Sequence, residues 1–233
     1  MCTIIAWKGP VTNAAIRHLI GTSNTHGPHA TGVGYIGENG RTHVFKRPKH
    51  PFTFIKDHAD EVEKASESQT GIAHTRLASV GDLTHRNAHP FVHHEVAYCH
   101  NGTITNWKDI DHSVSSDSQV LGPLILRDQL SKAHGTLGLT WICDGNLFVY
   151  RRRKPVTAAT FYRFNRHVTI VATHKFMIPR WFWNYEHTIH HVHESVVYRI
   201  DETGPVDVLK LCQKPLTSQT TEPLLRSRSS EYA

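Results

Sequence analysis

The stretch Gly71 to Phe91, GIAHTRLASVGDLTHRNAHPF, together with the HNG at His100 to Gly102, constrains this chain more than any other feature. In the first stretch an apolar strand start, Gly71-Ile72-Ala73, runs into His74, Thr75 and Arg76, then into a loop rich in turn formers and histidine. An arginine just past a strand end can fork two N–H groups onto a carboxylate. The HNG follows EVAYC, a strand-like run, and sets an amide side chain beside a glycine. Asparagine donates from its side chain, and glycine lets a backbone N–H approach an oxyanion closely. A carboxylate clamp, an oxyanion site and a cysteine directly after Met1 form one set centred on Cys2.

A length of 233 residues is that of one large or two small domains and is ample for one sizeable core. A hydrophobic fraction of 39% against 20% charged residues reads as an ordinary globular protein, not a disordered one. No run approaches a membrane span, and the first residues lack the basic then apolar pattern of a secretory signal, so a cytoplasmic location is expected.

Cysteines at positions 2, 99, 143 and 212 form no CxxC pair, and in a reducing compartment all are expected to be free thiols. Cys99 and Cys143 stand in apolar strand-like contexts and read as small buried hydrophobes.

The formal charge of +6 raises the question of nucleic acid. Much of the excess sits in RRRK at Arg151 to Lys154 and in the terminal LLRSRSS, and no nucleic-acid module surrounds either run. A solvated basic surface is the favoured reading. The 20 histidines raise the question of a metal, above all at His187 to His193, where His191 and His193 would share one face of a strand. No third ligand stands out at a supporting spacing, so no metal and no organic cofactor is expected.

Along the chain, CTIIAWKG reads as a strand and Val11 to Ile20 as an amphipathic helix. Gly32 to Ile36 and Thr42 to Lys46 read as a hairpin across GENG, and Ile55 to Ser66 as a polar helix. Strands follow at Gly71 to Thr75 and Glu95 to Cys99, then a helix from Ser118 to Leu130 entered from Asp117. Leu137 to Asp144 and Leu147 to Arg152 make a second hairpin. His167 to Ala172, and Val196 to Ile200 paired with Val206 to Lys210, complete a strand-rich second half. This pattern predicts an α+β layered fold. No linker or internal repeat divides the chain, so one domain over residues 1–215 is expected, with residues 216–233 a disordered tail.

Five segments in order resemble the class II (N-terminal nucleophile) glutamine amidotransferases: MCTI, HGPHATGVGY at His26 to Tyr35, AHTRLAS with NAHPF, HNGTITN, and SSDSQVL at Ser115 to Leu121. The resemblance implies the four-layer αββα sandwich of that fold type. It also implies that Cys2, freed of Met1, is the nucleophile and that its own α-amine is the base. The side chain of Asn101 and the N–H of Gly102 would form the oxyanion hole. Arg76 would pair with the α-carboxylate of glutamine and Asp117 with its α-ammonium group, while His89 would help shape the substrate site. A structural ion pair for Arg76 and a helix N-cap for Asp117 are the alternative readings of those residues.

Where the family often has Arg-Gly and an acidic residue, this chain has His26, Gly27 and His29, and Leu77 stands where an aromatic often follows the arginine. No synthase domain is recognisable after about residue 215, so ammonia would pass to an acceptor enzyme in trans. A γ-glutamyl compound could replace glutamine as substrate. A binding or regulatory module that keeps the fold without catalysis is the reading from another class.

Overall fold

The computed structural model describes residues 2–78 and 82–207. Two antiparallel sheets pack face to face. The first has seven strands in the order β11-β9-β10-β1-β4-β2-β3. These are β1 (Thr3–Lys8), β2 (Ala30–Ile36), β3 (Thr42–Arg47), β4 (Thr70–Arg76), β9 (Thr157–Arg163), β10 (Arg166–Ala172) and β11 (Glu186–His190). The second has six, in the order β13-β12-β8-β7-β6-β5. Its strands are β5 (Phe91–His93), β6 (Val96–Ile104), β7 (Gly135–Cys143), β8 (Asn146–Arg152), β12 (Val197–Asp201) and β13 (Gly204–Asp207).

Helices α1 (Asn13–Thr22), α2 (Pro51–Asp57) and α3 (Ala59–Glu67) cover the outer face of the first sheet. The short α4 (Trp107–Ile110) and α5 (Leu121–Leu126) cover the second. The result is the expected four-layer αββα sandwich.

The alternation of β1 builds three of these layers at once. Ile5 and Trp7 point into the core beneath the helices, while Ile4 and Ala6 point into the layer between the sheets. A strand buried on both faces reads as an unbroken apolar run, which is why CTIIAW was legible. Trp7 lies opposite Gly71 in the β1–β4 register, and a Cβ at Gly71 would sit 2.0 Å from the indole Cζ2. Glycine is therefore required there by packing. In α1 the N-cap Thr12 accepts from the Ala15 N–H, and Ala15, Ile16, Leu19 and Ile20 form the buried face.

Several expectations are corrected. The single helix expected from Ile55 is two, broken at His58, whose φ of −132° and ψ of 44° lie outside the helical range. The helix expected over Ser118 to Leu130 is a 3-10 turn at Asp117–Val120, the one and a half turns of α5, and a second 3-10 turn at Leu130–Lys132. Strand β6 continues past Cys99 to Ile104, so the HNG lies inside a strand. Strands β5, β9 and β11 were not anticipated. Cys143 is disulfide-bonded, not free; Cys2 and Cys99 carry free thiols, and Cys212 lies outside the described residues. All of the predicted tail, residues 216–233, and most of the strand expected from Val206 to Lys210 also lie outside them.

No described helix is long and apolar enough to cross a membrane. Two of the arginines of RRRK serve the fold: Arg151 pairs with Glu194 at 3.2 Å and Arg152 donates to the Ala133 carbonyl.

One polar contact ties the sheets together. His74 of β4 meets the carbonyl of His100 of β6 through Nε2 at 3.0 Å. A carbonyl only accepts, so Nε2 carries the proton. His74 is fully buried and its Nδ1 has no partner, and burial pushes its pKa down to about 3. The unfolded chain takes up a proton at this residue below about 6.5, the folded chain only near 3, so stability falls as the pH drops through that window. Urea titrations should lose on the order of 3 kcal/mol between pH 7 and pH 4 on account of this histidine. The slope should be smaller in His74→Gln; an unchanged slope would contradict a buried neutral His74.

Candidate active site

Strand parity brings the predicted residues to one end of the inter-sheet layer. Cys2 shares parity with Ile4 and Ala6, and His74 and Arg76 share it with Ile72; all three of those apolar residues face the opposite sheet. On β6, Ala97 and Cys99 face inward, and Asn101 follows at the same parity. Asn101 lies opposite Gly138 of β7. A Cβ at Gly138 would be 3.4 Å from the Asn101 carbonyl oxygen and 3.5 Å from Ile4 Cδ1, so the start of β1 abuts this part of β6 and β7.

The Cys2 thiol is held by backbone. Sγ accepts from the Leu77 N–H and donates to the Leu77 carbonyl, both at 3.3 Å. Because only main chain is used, leucine serves here as well as an aromatic residue would. Burial raises the Cys2 pKa; the Leu77 bond, the N-terminal charge and Arg76 lower it, and Asp117 raises it. The thiol is therefore protonated at neutral pH, within the electrostatic reach of both Arg76 and Asp117.

Arg76 is 4% exposed and donates from Nη1 to the Asp82 carbonyl at 3.0 Å. Asp117 is 6% exposed, and its Oδ2 accepts from the Ile104 N–H at 2.9 Å. The N-cap of the 3-10 turn is Ser116, with Gln119 Oε1 accepting from the N–H groups of Ser115 and Ser116 at 2.9 and 3.2 Å. Asp117 is thus not the cap, and its carboxylate is directed to β6.

An antiparallel strand points the N–H and C=O of each residue the same way, alternating along the chain. The His100 carbonyl accepts from His74, and the Ile104 N–H donates to Asp117, both away from β7. The Gly102 N–H falls on that same side, where β5 has already ended opposite Tyr98. A Cβ on Gly102 would lie 1.9 Å from the Thr136 carbonyl oxygen, so no other residue fits.

His89 is 4% exposed, stacked on His74 with ring centroids 4.0 Å apart and edge-on to Phe91 at 4.5 Å. Its two ring nitrogens are buried without partners, and burial drives its pKa far below the usual histidine value. His89 is a neutral wall behind His74. His100 is likewise held neutral by burial, with Nδ1 2.8 Å from Ser118 Oγ.

The HGPH loop is pinned to the same strand end. The His29 N–H donates to the Arg76 carbonyl and the Ala78 N–H to His29 Nδ1, each at 3.0 Å. Sequence reasoning missed this use of His29, and it missed Leu77, Ser118 and Lys46; the neighbourhood of His29 in a motif loop was the one available signal. His191 and His193 lie past the end of β11, so the shared strand face considered for them does not exist. Among the described residues no three His, Cys, Asp or Glu side chains are grouped to hold a metal ion.

No family model matches the chain. Over 114 residues, 47% of the chain, it is 35% identical to the glutamine–fructose-6-phosphate aminotransferase (isomerizing) of Fusobacterium nucleatum. Over 124 residues it is 30% identical to that of Mycolicibacterium paratuberculosis. These matches span 18% and 19% of the relatives, so the chain corresponds to about a fifth of their length. Among solved structures, glutamine phosphoribosylpyrophosphate amidotransferase from B. subtilis superposes with a TM-score of 0.70 at 15% identity, covering 91% of this chain and 50% of the other. A glutamine aminotransferase class-II domain protein from Silicibacter pomeroyi superposes at 0.51, with 15% identity and coverage of 89% and 98%. The structural likenesses show the fold, which is that of the class II glutamine amidotransferase structures the chain resembles, and the relatives share sequence with up to about half of the chain.

Proposed function

We propose that the chain hydrolyses the side-chain amide of glutamine at Cys2 and delivers the ammonia to an acceptor enzyme. The observation that carries this reading is the placement of the Cys2 thiol, fixed by the Leu77 main chain, within reach of one buried cation, Arg76, and one buried anion, Asp117. A free amino acid presents one charge of each sign, and a buried ion gains most from a partner that satisfies its hydrogen bonds.

In this reading removal of Met1 exposes the α-amine of Cys2, with a reference pKa near ~8, as the proton acceptor for a thiol that burial keeps protonated. Sulfur adds to the amide carbon, and the oxygen takes up negative charge facing Asn101 and the Gly102 N–H. The proton passes to the leaving nitrogen, ammonia departs, and water then cleaves the γ-glutamyl thioester to glutamate. The glutamine α-carboxylate would take the place of the Asp82 carbonyl on Arg76, and the ammonium group would meet Asp117.

A second reading, a γ-glutamyl amide with an anionic leaving amine, is favoured by Lys154. A Cβ at Gly138, opposite Asn101, would lie 3.5 Å from Lys154 Cβ, and the Lys154 charge reaches both His100 and His174. Lys154 takes part in none of the ion pairs among the described residues. If this reading holds, a γ-glutamyl amide of an acidic amine should outcompete glutamine, and Lys154→Ala should abolish that preference.

Ammonia and glutamate release by the purified chain tests the main reading. Cys2→Ala should be inactive, and Asn101→Ala should lower kcat by ~10²–10³. Arg76→Lys should raise KM for glutamine about tenfold or more, since a bidentate partner is lost. Full activity in Cys2→Ala would refute the proposal.

A further inference from the structure

We infer that Lys46 is a positioning residue that latches the loop carrying His89 onto the first sheet and so sets the walls of the Cys2 site. Its side chain reaches from β3, the edge strand, and Nζ donates to the carbonyls of Ala88 at 2.7 Å and Pro90 at 3.0 Å. These two carbonyls flank His89, and the ammonium also lies 5.0 Å from the centre of the Phe91 ring. No carboxylate pairs with it among the described residues. Main-chain oxygens are its partners, so its charge is spent on holding a backbone segment.

The seat beneath the loop is shaped for this contact. Gly32 lies opposite Lys46 in the β2–β3 register, and a Cβ there would sit 2.2 Å from the His89 carbonyl oxygen and 2.6 Å from Lys46 Cβ. At its other end the loop is tied by Asn87, whose Oδ1 accepts from Ser115 Oγ at 3.0 Å and whose Nδ2 donates to the Asp82 carbonyl at 3.3 Å. That carbonyl is also the acceptor for Arg76. The loop therefore joins Lys46 to Arg76 through Asn87 and Asp82, and to His74 through the stacked ring of His89. Lysine suits the role because it has three donors, no acceptor and a long reach.

The latch is sensitive to pH in a predictable direction. Burial pushes the Lys46 pKa down to about 8. The titratable and charged groups around it are Cys99 of β6, His85 and His89 of the loop, and Arg47 of β3. Burial holds Cys99 as a neutral thiol and both histidines as neutral imidazoles at pH 7 and above. Above about pH 8 the bonds to Ala88 and Pro90 lose their charge assistance. Global stability moves the other way: between about 8 and the ordinary lysine value the unfolded chain binds the extra proton, so this group's contribution rises with pH. Loosening of the loop and unfolding of the domain are therefore separable.

The test is amide exchange of the full chain at pH 7 and pH 9, corrected for intrinsic rates, with KM and kcat for glutamine hydrolysis at pH 7. In the wild type, exchange within residues 82–91 should quicken about tenfold at pH 9 while β1 and β7 stay protected; at pH 7, Lys46→Met should have a higher KM than the wild type with kcat nearly equal. Lys46→Met should show the fast exchange already at pH 7, with no further change at pH 9. Unchanged exchange of 82–91 in the wild type between these pH values, or in a folded Lys46→Met at pH 7, overturns the latch. The inference about KM rests on the glutaminase reading; if the wild type releases no ammonia, that reading fails and the exchange comparison alone decides the role of Lys46.

Discussion

Two antiparallel sheets packed face to face leave inward side chains with no neighbours but one another, and everything at the Cys2 site follows from that confinement. Over most of the layer the inward residues are apolar, from Ile4 and Ala6 across to Cys99, Ile142 and Val149. At one end they give way to Cys2, His74, Arg76 and Asn101. Polar groups withdrawn from water are costly unless answered, and they are answered largely by main chain: Leu77 for the half-buried Cys2, His100 for the buried His74, Asp82 for the buried Arg76.

The same confinement sets the charges. His74, His89 and His100 are all held neutral by burial, which removes three potential cations from the neighbourhood of the thiol. Arg76 and Asp117 remain as the opposed charges that the thiol senses. In the proposed reading, this neutral, closely packed surround with one cation and one anion suits a small zwitterion. Within the basic run at Arg151 to Lys154, read from the sequence as a solvated surface, Arg151 and Arg152 hold β8 to its neighbours.

Much of this was legible in the chain itself, and the exceptions have physical reasons. Strand β1 and the two hairpins carry strong apolar periodicity, and the N-cap of α1 sits where a threonine precedes the apolar face. The HNG was legible as chemistry but not as strand, because asparagine and glycine are poor strand formers and only pairing with β7 holds them extended. Strand β11, EHTIH, is largely exposed, so no buried alternation marks it. Lys46 gave no signal at all, since its partners are carbonyls more than forty residues away and carbonyls have no sequence. His74 and His89 were legible as members of motif segments, but their pairing was not; stacking makes His89 a wall behind His74.

The most direct test of a Cys2-centred glutamine site is the intact mass of the folded protein before and after treatment with a glutamine-analogue diazoketone. The prediction is loss of Met1 and one adduct on Cys2, absent from Cys2→Ala and suppressed by excess glutamine. Folded protein that keeps Met1 and gains no adduct at saturating reagent would contradict it.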